Sequence, residues 1–370
     1  MSRIRIGIIG YGNSARVFHL PYIERNPDLE VVAFLQRAEP RAGGRHCKHD
    51  YPTARWHRTI DEFCADDNID LGIVVTGHSS HAELAEKVLL SGKHVVVEKP
   101  FACSVEEADR VISIARRMGK LVVPFQNRRY DSDFRTLESL FTAKVFGEIL
   151  EAEFHHDVDA PSWAVKDTGP DWHPGEGMAF GIGCHSLDQA LALFGRPSTV
   201  TAFYRTLRPF PSKAEDSFTM VLQYKGTDEQ EKRIVWIKTN SYSKMIPLKY
   251  FIRGREGTFI KFGEDPQEQQ TYTGQSPAES SFGVEDPSIH GELSTSRKVL
   301  DGQHGLDGKE LWVGKVPSHR GDYGFFYTDL VAAIRGEREL KVKPETSRDG
   351  IQIIELARLS AASGQTIMFS

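Results

Sequence analysis

The first third of the chain alternates between short, uninterrupted apolar runs and longer segments with helical spacing. Such runs are typical of strands buried on both faces of a parallel sheet, and the segments between them predict connecting helices. The predicted strands are Ile4–Ile9, Leu29–Leu35, Ile69–Thr76, the valines within Lys93–Pro100, and Lys120–Phe125, and the predicted helices include Arg16–Arg25 and Ala82–Ser91. This order predicts an α/β fold whose first part is a doubly wound parallel sheet.

From residue 128 onward, helical segments alternate with stretches in which apolar and polar positions take turns. Alternation predicts strands with one buried face, as in a large, open, mostly antiparallel sheet. The predicted strands are Gly147–Phe154, one at Phe203, Phe218–Tyr224, Arg233–Thr239 and Tyr250–Arg253, and the predicted helices are Arg135–Lys144, Gly177–Gly195, Tyr323–Arg335 and Arg348–Ser363. The polar stretch Glu264–Ser296, with Pro and Gly, predicts a long surface excursion.

These patterns divide the chain into a domain of residues 1–127 and a second α/β domain of residues 128–370. We expect the flat face of the second sheet to pair with its copy in a homodimer or homotetramer, because a large apolar sheet face is rarely left in water.

A glycine-rich turn follows the first strand directly. Gly10, Gly12 and Ala15 form the pattern G-x-G-x-x-A, between a buried strand and a predicted helix. Gly10 permits the tight turn, Gly12 allows close approach of a pyrophosphate, and Ala15 allows close packing of helix and strand. The pattern predicts a Rossmann dinucleotide site, with Asn13 and Ser14 beside the phosphates. The alternative is a purely structural turn.

The end of the second strand predicts which nicotinamide cofactor binds. An acidic residue there binds the 2′-hydroxyl of NAD, whereas this chain has Gln36 and Arg37. With no carboxylate to repel a 2′-phosphate and a guanidinium able to bind it, we expect NADP, with NAD as the alternative.

Two further strand ends contribute polar residues to the expected crevice. Thr76, His78 and His81 follow one strand, and Ser80 is a candidate cap for the helix after it. The next strand ends in Glu98, Lys99 and Pro100. A lysine at a strand end next to a nicotinamide is a candidate proton donor or acceptor, and the proline is a candidate cis residue.

Composition restricts the class of protein. The chain has 46 Lys and Arg against 51 Asp and Glu, a net charge of −5, which argues against a nucleic-acid surface. It has no apolar run long enough to span a membrane. The four cysteines are scattered, as free thiols in a reducing compartment would be, so we expect the cytoplasm.

A Pro- and Gly-rich loop between His155 and His173 gathers His, Asp and Trp residues. Their spacing matches no metal-ligand motif, so we predict no metal. Indoles stack on sugar C–H faces and carboxylates bind hydroxyls, which predicts a polyol contact at Trp163 and Trp172.

The motifs together resemble the Gfo/Idh/MocA family, named for glucose–fructose oxidoreductase and inositol dehydrogenase. The resemblance rests on the G-x-G-x-x-A turn, on EKP after three valines, on NRRYDSDF from Asn127 to Phe134, and on GDYGFFYTDLVAAIRGERE near the C-terminus. The NRRYDSDF form is most similar to NADP-dependent scyllo-inositol and sugar dehydrogenases. The resemblance implies that Lys99 is catalytic.

The family motif D-x-x-x-H-x-x-D implies that His185 is a second catalytic residue and that Asp188 binds substrate. Gly181 stands where the motif has its first aspartate. Asn127 is a predicted cofactor contact, and Arg128 and Tyr130 are predicted substrate contacts.

The expected function is hydride transfer between a sugar or cyclitol and a nicotinamide. The alternatives are a non-catalytic dinucleotide-binding regulator of transcription, which Gly181 favours, and hydrolysis with the nucleotide as a redox intermediate.

Overall fold

The computed structural model describes residues 2–41, 43–163, 169–226 and 232–370. The chain divides into two compact units. The first comprises Met1–Tyr130, Gln267–Phe282 and Asp322–Arg348, and the second comprises Asp131–Pro266, Gly283–Gly321 and Asp349–Ser370. The division at residue 127 stays a prediction.

The first unit contains a six-stranded parallel sheet. Its strands are β1 (Ile4–Ile9), β2 (Leu29–Leu35), β3 (Arg55–His57), β4 (Leu71–Val74), β5 (His94–Val97) and β6 (Val122–Pro124). Their order is β3-β2-β1-β4-β5-β6. The order reverses between β1 and β4, which places the ligand crevice of this fold at the carboxyl ends of these strands. The predicted Rossmann sheet is confirmed.

The apolar runs form strands because both faces of this sheet are covered. All four residues of β4 are buried, and so are the three valines of β5. The core of the unit extends to residues late in the chain, since Phe282 and Tyr327 pack in the same apolar cluster as Ile8.

Ten α-helices occur in the described residues: α1 (Leu20–Ile23), α2 (Cys47–Asp50), α3 (Ile60–Cys64), α4 (His81–Leu90), α5 (Val105–Met118), α6 (Ser132–Thr142), α7 (Cys184–Phe194), α8 (Gln267–Tyr272), α9 (Gly324–Ile334) and α10 (Pro344–Ser363). Short 3₁₀ turns span His78–Ser80, Asn127–Tyr130 and Pro287–Ile289. Among the described helices, none is both long and apolar enough to cross a membrane.

Two segments predicted as plain helices begin with a turn of π-helix. Ala15–His19 is a π-helix that precedes α1, and Ala179–Gly183 is one that precedes α7. Wide turns of this kind are rare and occur often at functional sites.

The second unit is built on a ten-stranded sheet. Its strands are β7 (Ile149–His155), β8 (Thr199–Arg205), β9 (Ser217–Tyr224), β10 (Arg233–Asn240), β11 (Leu248–Gly254), β12 (Gly257–Phe262), β13 (Gly291–Thr295), β14 (His304–Gly305), β15 (Trp312–Val316) and β16 (Ile367–Met368). The order is β14-β15-β13-β12-β11-β7-β10-β9-β8-β16. β7 and β10 pair in parallel and the other described neighbours are antiparallel, which confirms the predicted sheet.

Alternation explains why one face of this sheet is buried and the other is open. In β10, Val235 and Ile237 are fully buried on one face of the sheet. Ile234 of the same strand belongs to the opposite face and is 38% exposed. Phe203 of β8 is 61% exposed.

The predicted surface excursion at Glu264–Ser296 is correct for much of residues 268–281, most of which are exposed, and wrong for Gly291–Thr295, which form a strand. This stretch contains α8, a 3₁₀ turn and β13, and β13 pairs with both β12 and β15 inside the sheet. The sequence pattern did not predict β13, because Leu293 is the only large apolar residue among its five residues.

Candidate functional site

The glycine turn has the geometry that a dinucleotide site requires. Gly10 has a φ of 102°, and a Cβ there would lie 2.2 Å from the carbonyl oxygen of Val75, so no other residue fits. At Gly12 a Cβ would meet no heavy atom within 4 Å, because the backbone borders open space. The residues therefore fit a pyrophosphate at this turn.

The residues after the glycines connect the turn to the rest of the unit. Ala15 is fully buried, whereas Asn13 is exposed and donates its side-chain amide to the hydroxyl of Tyr272 at 2.7 Å. Ser14 precedes the π-helix and makes no side-chain cap bond to it.

At the end of β2, Gln36 is fixed and Arg37 is exposed. The side-chain oxygen of Gln36 accepts the backbone N–H of Cys47 at 3.0 Å, and the backbone carbonyl of Gln36 accepts the indole N–H of Trp56 at 2.9 Å. Arg37 lies at the surface directly after it.

Sequence reasoning missed two further cations near this strand end. The ammonium of Lys48 lies 4.9 Å and the guanidinium of Arg58 6.0 Å from the ring centroid of Trp56, the residue bonded to Gln36. Arg58 also pairs with Glu39. Trp56 belongs to β3, which is only three residues long and therefore too short for a hydrophobic pattern to predict.

At the end of β4, the His81 ring bonds to backbone carbonyls of two neighbouring strand ends. Its ring nitrogens lie 2.8 Å from the carbonyl oxygen of Pro100 and 3.1 Å from that of Thr76, so the buried imidazole bridges the ends of β4 and β5. The His78 ring is 5.8 Å from it. Ser80 occupies the predicted N-cap position of α4, but its hydroxyl bonds the Thr76 hydroxyl and the Gly77 carbonyl and makes no cap bond to the helix.

The end of β5 contains a buried chain of hydrogen bonds. The hydroxyl of Tyr327 lies 2.6 Å from Nδ1 of His19, and Nε2 of that ring lies 3.2 Å from Oε1 of Glu98. Oε2 of Glu98 accepts the backbone N–H of Lys99 at 2.9 Å. The Lys99–Pro100 peptide bond is cis, as the sequence suggested.

The chain of bonds determines the charge of Glu98. Burial alone raises the pKa of a carboxyl, but the hydrogen bond from His19 and the charge of Lys99 outweigh it and hold the pKa of Glu98 below its usual range. Burial raises the pKa of Tyr327 well above its usual range, which keeps its hydroxyl neutral. His19 and Tyr327 lie 308 positions apart, so nothing in the sequence linked them.

Two of the three predicted contacts after β6, Arg128 and Tyr130, bond to side chains within the first unit. Asn127 is buried, and the guanidinium of Arg128 donates to Glu268 at 2.8 Å. The hydroxyl of Tyr130 donates to Asp329 at 2.7 Å.

In the second unit, α7 presents His185 and Asp188, both of which are buried. Gly181 lies in the π-helix one turn earlier. A Cβ at Gly181 would meet no heavy atom within 4 Å, so the position of the absent aspartate borders open space.

The loop before the π-helix is fixed by an ion pair between the buried Glu215 and the partly buried Arg358. Glu215 accepts the backbone N–H of Ala179 at 3.0 Å. The Arg358 guanidinium lies 3.9 Å from the ring centroid of Trp172, whose indole is thereby packed within the unit. Trp163 is 59% exposed.

Two family models match the chain. The model of an oxidoreductase family with an NAD-binding Rossmann fold matches residues 4–125, and the model of the family's C-terminal α/β domain matches residues 139–369. The chain belongs to the Gfo/Idh/MocA oxidoreductase family.

Similar proteins share the whole architecture. The scyllo-inositol 2-dehydrogenase (NADP(+)) IolW of Bacillus subtilis is 30% identical, with 99% of this chain and 96% of the relative covered. An uncharacterized oxidoreductase of Schizosaccharomyces pombe is 33% identical over 99% of this chain and its own full length. The crystal structure of an oxidoreductase from Bacillus cereus has a TM-score of 0.86 and 29% identity, with 99% of both chains covered. The protein is therefore an oxidoreductase with a nicotinamide dinucleotide-binding domain.

Proposed function

We propose that the protein is an NADP-dependent dehydrogenase or reductase of a sugar or cyclitol, acting on a secondary hydroxyl or its ketone. The observation that supports this most is the full-length similarity to an NADP-dependent scyllo-inositol dehydrogenase, together with the buried bond network that fixes Glu98 beside Lys99.

Three cations at the end of β2 support NADP. Arg37 is exposed directly after the strand, and Lys48 and Arg58 lie by the neighbouring Trp56. A 2′-phosphate prefers such an edge, whereas a ribose hydroxyl prefers a carboxylate. The nearby Glu39 is engaged by Arg58.

In this proposal the nicotinamide supplies the hydride chemistry and the protein handles one proton. Lys99 and His185 donate or accept that proton at the substrate oxygen. Gly10, Gly12, Asn13, Ser14 and Ala15 hold the phosphates. Other residues complete the cofactor site or orient the polyol: Gln36, Arg37, Thr76, His78, His81, Glu98, Pro100 and Asn127 for the cofactor, and Arg128, Tyr130, Trp163, Trp172 and Asp188 for the polyol.

The open sheet face, with Phe203 and Ile234 exposed, supports a homodimer or homotetramer as the working assembly. Light scattering at micromolar concentration tests this, and a monomer would contradict it.

The test of the function is a panel of inositols, aldoses and ketoses with NADP+ or NADPH, followed by the absorbance of the reduced nicotinamide. We expect turnover with at least one cyclitol or sugar pair. Tight cofactor binding without turnover on any member would favour the regulator instead.

Arg37→Ala tests the cofactor assignment. We expect it to weaken NADPH binding by about 1.5–3 kcal/mol, the loss of a hydrogen bond to a charged group, and to leave NADH binding nearly unchanged. Titration by nicotinamide fluorescence measures both affinities. Equal losses for the two cofactors would contradict the 2′-phosphate contact.

A further inference from the structure

The segment Gln267–Phe282 lies in the second half of the sequence but belongs to the first unit. Its ends are anchored there. Gln267 is fully buried, and its side-chain oxygen accepts the backbone N–H of Tyr323 at 2.9 Å. At the other end, Phe282 is fully buried and packs edge-on against Tyr22. We call Gln267–Phe282 the strap.

Between these anchors the strap reaches the glycine turn. Its helix α8 packs against the π-helix Ala15–His19, and Tyr272 at the end of α8 accepts the side-chain amide of Asn13 at 2.7 Å. Tyr272 is 52% exposed, so its hydroxyl is held at this turn by the bond to Asn13 rather than by burial.

The chemistry of the strap suits a neighbouring anion. It is rich in neutral donors, with four Gln and several Ser and Thr residues. Its two carboxylates are both engaged, Glu268 with the guanidinium of Arg128 and Glu279 with the backbone N–H of Ser276. The Tyr272 hydroxyl accepts from Asn13, which leaves its own proton to donate.

We propose that the strap forms one wall of the dinucleotide site and that the Tyr272 hydroxyl donates to the pyrophosphate of the cofactor. The inference rests on the proposed function, because it requires a nicotinamide dinucleotide at Gly10–Ala15. Asn13 orients the tyrosine, and the backbone at Gly12, next to Asn13, borders open space.

The experiment compares Tyr272→Phe with wild type for two ligands, NADPH and 2′-AMP, which has the adenosine and the 2′-phosphate but no pyrophosphate. Tyr242→Phe is the matched control, because Tyr242 is also partly exposed and belongs to the second unit. We expect Tyr272→Phe to raise the Kd for NADPH roughly tenfold, the loss of one hydrogen bond to a charged group, and to leave the Kd for 2′-AMP unchanged. Tyr242→Phe should change neither.

Hydrogen exchange on the full chain supplies a second measurement. We expect NADPH to slow exchange in residues 267–282, and 2′-AMP to slow it much less. If Tyr272→Phe binds NADPH within twofold of wild type, or weakens both ligands equally, the inference is wrong. If wild type binds neither NADPH nor NADH, the proposed function itself fails.

Discussion

Each unit contains a buried glutamate that binds a backbone N–H at, or a few residues before, a predicted proton-handling residue, but the two glutamates have different partners. Glu98 in the first unit is bonded by His19 and holds the backbone N–H of Lys99. Glu215 in the second unit is paired with Arg358 and holds the segment that leads into His185.

The partners give the two carboxyls opposite pKa directions. Burial raises the pKa of Glu215 despite its guanidinium, whereas His19 and Lys99 lower the pKa of Glu98 against the same effect of burial. The direction of the pKa shift of a buried carboxyl is therefore set by the sum of burial, hydrogen bonds and nearby charges, and an arginine partner alone does not lower the pKa.

Removing the lysine next to the first glutamate should have the largest effect. We expect Lys99→Ala to lower the chemical step about 10²–10⁴-fold, the usual contribution of one positioned proton-transfer group. Lys99→Arg should be nearly as slow, since a guanidinium keeps its proton. Single-turnover measurement of nicotinamide absorbance tests this. Turnover by Lys99→Ala near the wild-type rate would refute the proposed role of Lys99.

Breaking the ion pair between Glu215 and Arg358 should have the second-largest effect. Arg358→Ala leaves Glu215 buried without its cation, so we expect a loss of about 3 kcal/mol in the free energy of unfolding. Hydrogen exchange of the α7 amides measures it. The control is Arg255→Ala, which removes a surface pair with Glu148 and should cost about 0–1 kcal/mol. Equal costs would show that the burial of Glu215 does not matter.

Within the first unit, replacing His19 should lower the free energy of unfolding more than replacing Tyr327. His19→Phe keeps the stacking on Phe125, at 4.0 Å between centroids, but removes the donor to Glu98, so we expect a loss of about 1–3 kcal/mol. Tyr327→Phe removes one bond at the far end and should cost about 0.5–1.5 kcal/mol. Urea denaturation measures both. The reverse order would mean that Glu98 is not held through His19.

The smallest effect is on the pH dependence. The folded pKa of Glu98 is lowered, so its stabilisation is present above the ordinary carboxyl pKa of about 4.3 and is lost as the pH falls through the folded value. Glu98→Gln should make the acid-side loss of stability shallower. The folded pKa of Glu215 is raised, so its contribution is lost as the pH rises, and Glu215→Gln should change the slope in the opposite direction. Slopes of equal sign would contradict the comparison.

Local pattern predicted the sheets and much of the first unit. The turn from Gly10 to Ala15 and the strand end at Lys99 stand where the apolar runs placed them, because a buried parallel strand has a continuous apolar sequence. The α7 segment was also predicted, since its apolar spacing is helical.

The bonds between distant segments were beyond local pattern. Tyr327 and His19 meet only because α9 packs in the first unit, and Tyr272 meets Asn13 only through the strap. Neither pair is linked by a local pattern, so the spacing of residues in the sequence does not predict either contact. Trp172 is a predicted sugar contact for its indole, but the sequence could not show that Arg358 packs over the ring.

The discontinuity of the first unit has a consequence for synthesis of the chain. Phe282, Tyr323 and Tyr327 fill the same core as β1, yet the ribosome adds them more than two hundred residues later. Part of the apolar surface of the nascent sheet therefore stays exposed until α9 has left the exit tunnel. Completion of the nucleotide-binding unit is thus coupled to the synthesis of α9, and a message truncated after β6 would yield a chain with an unfinished core.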